Sequence, residues 1–267
     1  MQSLKHIVVI ALNTFRESIR DKILYNLFFL AIALVFFSIM LGEWSVFDRA
    51  HVIKSTTLSI MSLSGLLIAV FVGISLVQKE IQRRTVLTLL SKPISRVSFI
   101  VGKYFGLLGV LAVHLIFLSL LYYLILFFTH SNPTWSLLSA IYLIFCEMAI
   151  VVAVALLFSS FSTAVLSTLF TLGVYFAGHL SNQLLEQVQF VKKMGEIEGF
   201  GSVVLERLAV WIHAIFPGLY RYNISSFVVH DITVSKSYLV WQSIYALGYI
   251  GVFLGIASWW FSRRDFL

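Results

Sequence analysis

The sequence predicts an all-α, polytopic membrane protein with six transmembrane helices. Two observations predict this class. First, 60% of the 267 residues are apolar and only 12% are charged, whereas a soluble domain carries about 25% charged residues. Second, the apolar residues are gathered into stretches of about 20, the length that crosses about 30 Å of hydrocarbon. The bilayer is therefore the expected solvent for most of the chain.

Six stretches are long and apolar enough to cross a membrane. They run over Ile23–Leu41, Thr57–Val77, Tyr104–Phe128, Leu137–Phe158, Ala164–Leu180 and Trp241–Phe261. A seventh apolar stretch, Ser202–Phe216, is shorter and contains Glu206 and Arg207, so we expect it to be re-entrant or interfacial. The chain is therefore predicted to be a single transmembrane domain. Its parts are an N-terminal amphipathic helix (3–22), spans 1 and 2 (23–77), a linking segment (78–103), spans 3 to 5 (104–180), an outer connection (181–240), and span 6 with the tail (241–267).

The distribution of positive charge predicts the orientation. Lys and Arg are concentrated in the N-terminal segment and between spans 2 and 3, and short loops rich in these residues face the cytoplasm. We therefore expect both termini on the cytoplasmic side of a bacterial inner membrane. The net charge of +7 does not indicate nucleic-acid binding, because no basic helix or aromatic–basic platform accompanies it.

Residues 3–22 are predicted to form an amphipathic helix that lies in the membrane interface. The apolar residues recur at helical spacing and share one face: Leu4, Ile7, Val8, Ala11, Leu12, Phe15 and Ile19. Polar residues occupy the other face: Lys5, Asn13, Arg16, Glu17 and Arg20. A simpler interpretation, in which the helix is only an anchor that orients span 1, stays open.

The segment Gln78–Lys103 is the most informative part of the chain. Glu80 precedes Arg84 by four residues, an orientation that favours an ion pair on one helix. Pro93 should end that helix, because the residue before a proline is biased away from the helical conformation. A second helix can then start near Ser95, which predicts a rigid helix–turn–helix projecting between spans 2 and 3. A loop made basic only by topology is the alternative.

Several motifs resemble those of ABC-2 type exporter permeases. The coupling segment of that family is similar to Glu80, Arg83 or Arg84, Thr85, Leu89, Leu90, Ser91, Pro93, Ser95, Arg96, Gly102 and Lys103. Its connecting helix resembles Asn13–Glu17, which includes Arg16 and Glu17. Its inner turn resembles Phe158–Phe161, and its terminal signature resembles Phe261–Phe266. The subgroup most similar contains permeases of nitrous-oxide reductase maturation and of gliding motility.

The resemblance implies a complex of two permeases, in contact through spans 1 and 5, with two ATPase subunits. A homodimer is expected because closed two-fold symmetry is the commonest arrangement, and a heterodimer stays open. Gln78–Arg96 would dock in a cleft of each ATPase, and the outer connection is a candidate surface for an extracytoplasmic accessory protein. The chain itself should bind no nucleotide, because Val97 and Tyr104 stand where a phosphate-binding loop needs glycine and a serine or threonine. ATP and magnesium would belong to the ATPase, and this chain is expected to bind no cofactor or metal and to catalyse no reaction.

Polar groups inside the predicted spans are candidate functional residues. Glu147 is the carboxylate within a span, and His114 and His179 are the span histidines. Glu147 could contact substrate or carry a proton, or it could hydrogen-bond a neighbouring helix, and the structural role is favoured. His179 is placed near the outer end of span 5, where it could face water.

Other classes of function fit less well. An intramembrane hydrolase would need a Ser/His pair, an H-E-x-x-H motif or paired aspartates within spans, and the sequence has none of these. A secondary transporter would show inverted repeats and several charges at the membrane midplane. A non-transporting structural subunit of a larger complex stays open, because a scaffold needs no particular chemistry.

Overall fold

The protein is a bundle of long helices. The computed structural model describes residues 2–45, 49–82, 95–129, 135–194, 207, 210–211, 215–230 and 232–263, and these residues contain no strand. The helices are α1 (Gln2–Ile19), α2 (Lys22–Glu43), α3 (Arg49–Leu67), α4 (Gly73–Gln82), α5 (Arg96–Phe128), α6 (Trp135–Phe161), α7 (Ala164–Met194), α8 (Ser225–Val229) and α9 (Lys236–Arg263). A π-helical stretch, Ile68–Val72, joins α3 to α4, and a 3₁₀ turn covers Leu219–Tyr222.

Six helices among the described residues are long and apolar enough to cross a membrane, as the sequence predicted. They are α2, the continuous Arg49–Glu80 helix, α5, α6, α7 as far as Val188, and α9. Several extend beyond the predicted spans: α3 begins at Arg49 rather than Thr57, and α7 continues past Leu180 to Met194. Hydropathy detects only the apolar part of a helix, whereas the backbone continues until a cap or a turn ends it.

Side-chain caps mark two of the helix starts. Asp21 Oδ1 accepts a hydrogen bond from the Ile23 amide at 3.0 Å and so begins α2. Ser95 Oγ accepts from the Ser98 amide at 3.2 Å and begins α5. Asp and Ser are preferred at this position because their oxygens satisfy an amide that the helix leaves unpaired.

The centre of the bundle is formed by the Arg49–Glu80 helix and α6. In both helices, buried residues occupy most of the apolar window, and α6 is apolar on all sides, as expected of a helix surrounded by others. The helices α2, α7 and α9 lie at the periphery and expose large apolar side chains such as Phe36, Leu169 and Leu247. These faces suit lipid or another apolar surface.

The face of α1 that contacts the bundle is formed by small polar residues, and the apolar stripe points away from the bundle. Thr14 and Ser18 are buried, whereas Leu4, Val8 and Leu12 are exposed. The reason is steric, because α1 packs on the glycines of α5, where small side chains allow the closest approach. The exposed apolar stripe remains free to face a membrane, as an interfacial helix requires.

The connection before α9 folds back against the spans. Leu219, Tyr222 and Val228 are buried, and the Tyr222 hydroxyl donates to the Gln242 carbonyl at 3.0 Å. A Cβ added to Gly178 would lie 2.5 Å from the Pro217 carbonyl oxygen, so α7 and this turn approach closely. Most of the predicted re-entrant stretch Ser202–Phe216 lies outside the described residues.

Candidate functional site

Three consecutive side chains at the end of α4 reach three different neighbours, because successive residues of a helix point about 100° apart. The Gln78 amide donates to the carbonyls of Ser159 at 3.3 Å and Ser162 at 2.7 Å, at the turn between α6 and α7. Lys79 Nζ lies 2.5 Å from Asp21 Oδ2, at the turn between α1 and α2. These ends of the helices therefore meet on one side of the bundle, which we call the basal end.

Glu80 completes the trio with an ion pair to α5. Its Oε2 lies 3.0 Å from Lys103 Nζ, and the Lys103 side chain is only 1% exposed. The Lys103 ammonium also lies 5.3 Å from the centre of the Phe99 ring, within the range of a cation–π interaction. Removing one partner of such a buried pair typically costs about 3–5 kcal/mol, because the other charge is left without compensation. Arg84, the partner predicted for Glu80, lies outside the described residues.

The Asp21 carboxyl at the turn between α1 and α2 is stabilised in its ionised form. Burial raises the pKa of the Asp21 carboxyl, but hydrogen bonds from Lys79 and the Ile23 amide, together with the Lys79 charge, lower it more. The net result is a pKa below the ordinary value of 3.8. The folded protein therefore favours the ionised carboxylate, which both caps α2 and binds Lys79.

Arg96, the first residue of α5, joins the C-terminal end of the linking segment to α9. Its Nη1 donates to the carbonyls of Phe261 and Ser262, both at 3.0 Å. These carbonyls belong to the last turn of α9, where helix geometry leaves acceptors without intrahelical partners. The Phe99 and Phe261 rings stack beside them, with centroids 5.4 Å apart. The start of α5 and the end of α9 are thus one packed unit.

The remaining residues predicted for coupling divide into two groups. Arg16 is exposed on α1, and Glu17 is half-buried where its charge acts on Glu80. The others lie outside the described residues: Arg83, Arg84, Thr85, Leu89, Leu90 and Pro93. The structure therefore describes both roots of the linking segment but not its middle.

The connecting helix α1 lies directly against the start of α5. Ile10 and the Ile7 carbonyl meet the position where Gly102 would carry a Cβ, and Thr14 and the Ala11 carbonyl meet that of Gly106. The Gly102-x-x-x-Gly106 spacing thus allows close helix approach. Lys103 follows Gly102 directly on α5, so the Glu80–Lys103 pair lies near the contact with α1, where the charge of Glu17 acts on Glu80.

A second polar site lies within the spans. Glu147 on α6 is buried, and a hydrogen bond of 2.7 Å joins its Oε1 to His179 Nε2 on α7. The Tyr175 hydroxyl is a further hydrogen-bond partner of this carboxyl. Ser62 Oγ on α3 lies 3.5 Å from the Tyr175 hydroxyl oxygen. His179 therefore lies against Glu147, in the middle of α7. The hydrogen bond from Glu147 to a neighbouring helix, one of the two roles considered from the sequence, is thus present between α6 and α7.

These side chains border a cavity of about 270 Å³. Its walls come from α3, α6 and α7, and Tyr222–Ser225 close one side. The segment before α9 therefore contributes directly to the cavity. Ligand-binding cavities typically combine apolar walls with a few convergent polar groups, as this one does.

His114, the third polar residue predicted within a span, lies elsewhere. It is buried on α5, with Nε2 2.9 Å from Ser64 Oγ on α3 and its ring 5.8 Å from that of Phe28. The structure thus joins Glu147 to His179 but not to His114. The Ser64–His114 contact joins α5 to α3, and it is a Ser/His pair within the spans that was not expected from the sequence.

Sequence reasoning missed several residues of these sites. Lys103 was part of a motif but not recognised as the partner of Glu80, and Gln78 was not recognised as a clamp. The signal for Tyr175 was available, because it precedes His179 by four residues and so shares its helix face. Ser62 and Asn223 carry no comparable signal, since they approach the cavity from other elements of the fold.

The comparison with known protein families agrees with this architecture. A family model described as "ABC-2 family transporter protein" matches residues 8–266, nearly the whole chain. The chain belongs to the ABC-2 transporter family. It is therefore a multi-pass membrane protein, and the family consists of the transmembrane permease components of ABC transporters, which work with an ABC ATPase. Among curated proteins, none matches the chain.

Proposed function

We propose that this ABC-2 permease belongs to an exporter whose ATPase is a separate chain and docks on the segment between α4 and α5. The contacts at the two roots of that segment support the proposal best. Gln78, Lys79 and Glu80 bind the α6–α7 turn, the α1–α2 turn and α5, and Arg96 binds the end of α9. A displacement of the segment would therefore act on every span at the basal end.

In this mechanism, ATP closes two ATPase subunits and the docked segments move with them. The buried Glu80–Lys103 pair transmits the movement to α5 and to the adjacent α1. The clamp at Gln78 transmits it to the turn between α6 and α7, which are also the helices that hold Glu147 and His179. The π-helical stretch Ile68–Val72 lies between that cavity and Gln78, and such stretches inside α-helices often mark functional sites.

The complex would contain two copies of this chain and two ATPase subunits. We propose a homodimer in the bacterial inner membrane with both termini, and hence the basal end, in the cytoplasm. ATP and magnesium would bind the ATPase, and this chain would act without a cofactor of its own. The resemblance to permeases of nitrous-oxide reductase maturation and gliding motility belongs to the same proposal, as does an accessory protein on the outer connection.

Expression of the permease with its neighbouring genes, among which we expect an ABC ATPase, followed by co-purification, tests the proposal. The full-length permease should recruit that ATPase, and its presence should stimulate ATP hydrolysis in reconstituted membranes. Glu80→Gln keeps the side-chain shape but removes the charge at Lys103. We expect the variant to insert normally and to reduce the stimulation about fivefold or more, the lower end of typical coupling free energies.

Glu43→Gln is the matched control for this experiment. Glu43 also forms an ion pair, with Arg49 at 2.5 Å, but that pair is half-exposed at the opposite end of the bundle. The control should stimulate hydrolysis as the unaltered protein does. Absence of any co-purified ATPase would contradict the proposed function, and full stimulation by Glu80→Gln would contradict the role of the basal ion pair.

A further inference from the structure

We propose that the cavity at Glu147 binds a compact organic cation, an alkylammonium or quaternary ammonium group. The inference depends on the proposed function only for the step from binding to transport. The binding itself follows from the Glu147 carboxyl, the aromatic rings and the size of the cavity.

The first argument is the position of the Glu147 carboxyl in the wall of the cavity. His179 Nε2 lies 2.7 Å from its Oε1, and the Tyr175 hydroxyl is a second hydrogen-bond partner. A positive charge within about 4–6 Å favours the ionised form of a carboxylate. A charge at this depth costs about 2.5–3.5 kcal/mol on insertion scales unless it is compensated. A cation in the adjoining cavity supplies that compensation.

The second argument is the aromatic lining. Tyr175, Phe176 and Tyr222 border the same cavity as the carboxylate. Aromatic faces attract organic cations, and several such rings around one site recognise quaternary ammonium groups in particular. The apolar side chains beside them, such as Leu58 and Ile144, suit the alkyl substituents of such a cation rather than a strongly hydrated ion.

The third argument excludes other ligands. The neutral polar groups are already engaged within the protein, since Ser59 Oγ donates to the Ser55 carbonyl and Asn223 Oδ1 accepts from Ser225. A sugar would therefore find few free partners, and an anion would find no Lys or Arg among the lining residues. The described residues contain no group of three or more His, Cys, Asp or Glu that could hold a metal ion.

The size of the cavity limits the ligand further. Its volume of about 270 Å³ lies below the usual range of drug-sized pockets, about 300–1,000 Å³. A headgroup fits this space better than a large molecule. The same chemistry is found in a free amine and in the headgroup of a choline lipid, so the experiment must separate these two sources.

Calorimetric titration of the full-length permease provides the test, in a detergent that itself carries no ammonium group. Choline is the free probe, and 3,3-dimethylbutan-1-ol is its neutral isostere. Short-chain phosphatidylcholine and phosphatidylglycerol form the lipid arm. We expect choline to bind and its isostere not to bind, and Glu147→Gln to weaken binding about tenfold or more, as expected for loss of a charged partner.

Matched variants complete the design. Glu43→Gln removes an exposed carboxylate outside the cavity and should leave binding unchanged. Phe176→Leu keeps an apolar side chain but removes one ring, and should weaken binding about threefold or more. This second variant carries the test if Glu147→Gln does not fold.

The outcomes separate clearly. Choline binding that depends on Glu147 supports a free amine as the ligand, and binding of phosphatidylcholine alone, with the same dependence, supports a lipid. Failure of both probes to bind overturns the inference, as does equal binding of the neutral isostere or full binding by both variants. Because no ATPase takes part, none of these results bears on the assignment as a permease.

Discussion

At the scale of single residues, the basal end is held by charged side chains that each have a different partner. Lys79 binds Asp21 and the next residue, Glu80, binds Lys103, so two adjacent side chains of opposite charge join α4 to two other parts of the bundle. The two pairs differ in burial, since Lys79 is partly exposed whereas Lys103 is enclosed. We therefore expect the Asp21 pair to be the weaker of the two.

Asp21→Asn tests that expectation. Asparagine can still cap α2, so the change removes the charge and leaves the cap. We expect a loss of stability of about 1 kcal/mol, the upper end for ion pairs that solvent screens, because Lys79 is 43% exposed. We expect a further loss of about 1 kcal/mol for Asp21→Ala, which also removes the cap. Thermal unfolding of the purified permease at pH 7 measures both changes.

The pH dependence of the same variant follows from the direction of the pKa shift. Because the pKa of Asp21 is lowered in the folded protein, its contribution is present above the ordinary value and is lost as the pH falls through the folded value. The difference in unfolding temperature between the unaltered protein and Asp21→Asn should therefore shrink below about pH 4. A difference that grows on acidification would contradict this assignment.

At the scale of helices, the contact between α1 and α5 depends on glycine. A Cβ at Gly106 would lie 2.6 Å from Thr14 Cβ and 2.7 Å from the Ala11 carbonyl, so α1 would have to move. The equivalent spacing on α9 behaves differently, since a Cβ at Gly251 or Gly255 would meet nothing within 4 Å. The two GxxxG patterns are alike in sequence, and only the first holds two described helices together.

Gly106→Ala and Gly255→Ala therefore form a matched pair. We expect Gly106→Ala to destabilise the protein by about 1–3 kcal/mol, the usual cost of overpacking, and Gly255→Ala to change stability by about 0.5 kcal/mol or less. Thermal unfolding compares the two variants, and protease sensitivity of α1 reports its displacement. Equal effects of the two substitutions would show that the close contact with α1 does not limit stability.

The helices also show which features could be predicted from sequence. The six spans were predictable because apolar length alone decides whether a helix can cross a bilayer. The face by which α1 packs on α5 could not be predicted, because hydrophobic periodicity identifies only the apolar side of a helix and undervalues small polar residues such as Thr14 and Ser18. The Glu147–His179 bond was considered only as a general interhelical contact, since the partner depends on the register of α6 against α7.

At the scale of the whole molecule, the arrangement of the spans leaves large apolar faces for a partner or for lipid. The α3–α4 helix and α6 are mostly buried within one chain, whereas α2, α7 and α9 are mostly exposed. In the proposed homodimer, α2 and α7 face the second copy and α9 faces lipid. The alternative is an interface formed by α9, because its uncovered glycines Gly251 and Gly255 would favour association with another helix.

Disulfide cross-linking can decide between these faces. The natural Cys146 is buried and free, so its replacement by Ala gives a background without thiols. Single cysteines at Phe36, Leu169 and Leu247 then report on α2, α7 and α9, and all three side chains are exposed to a similar degree. We expect oxidation in native membranes to cross-link two copies through Phe36→Cys or Leu169→Cys but not through Leu247→Cys. Cross-linking through Leu247→Cys alone would place the interface on α9, and the glycine face would then be the contact between copies.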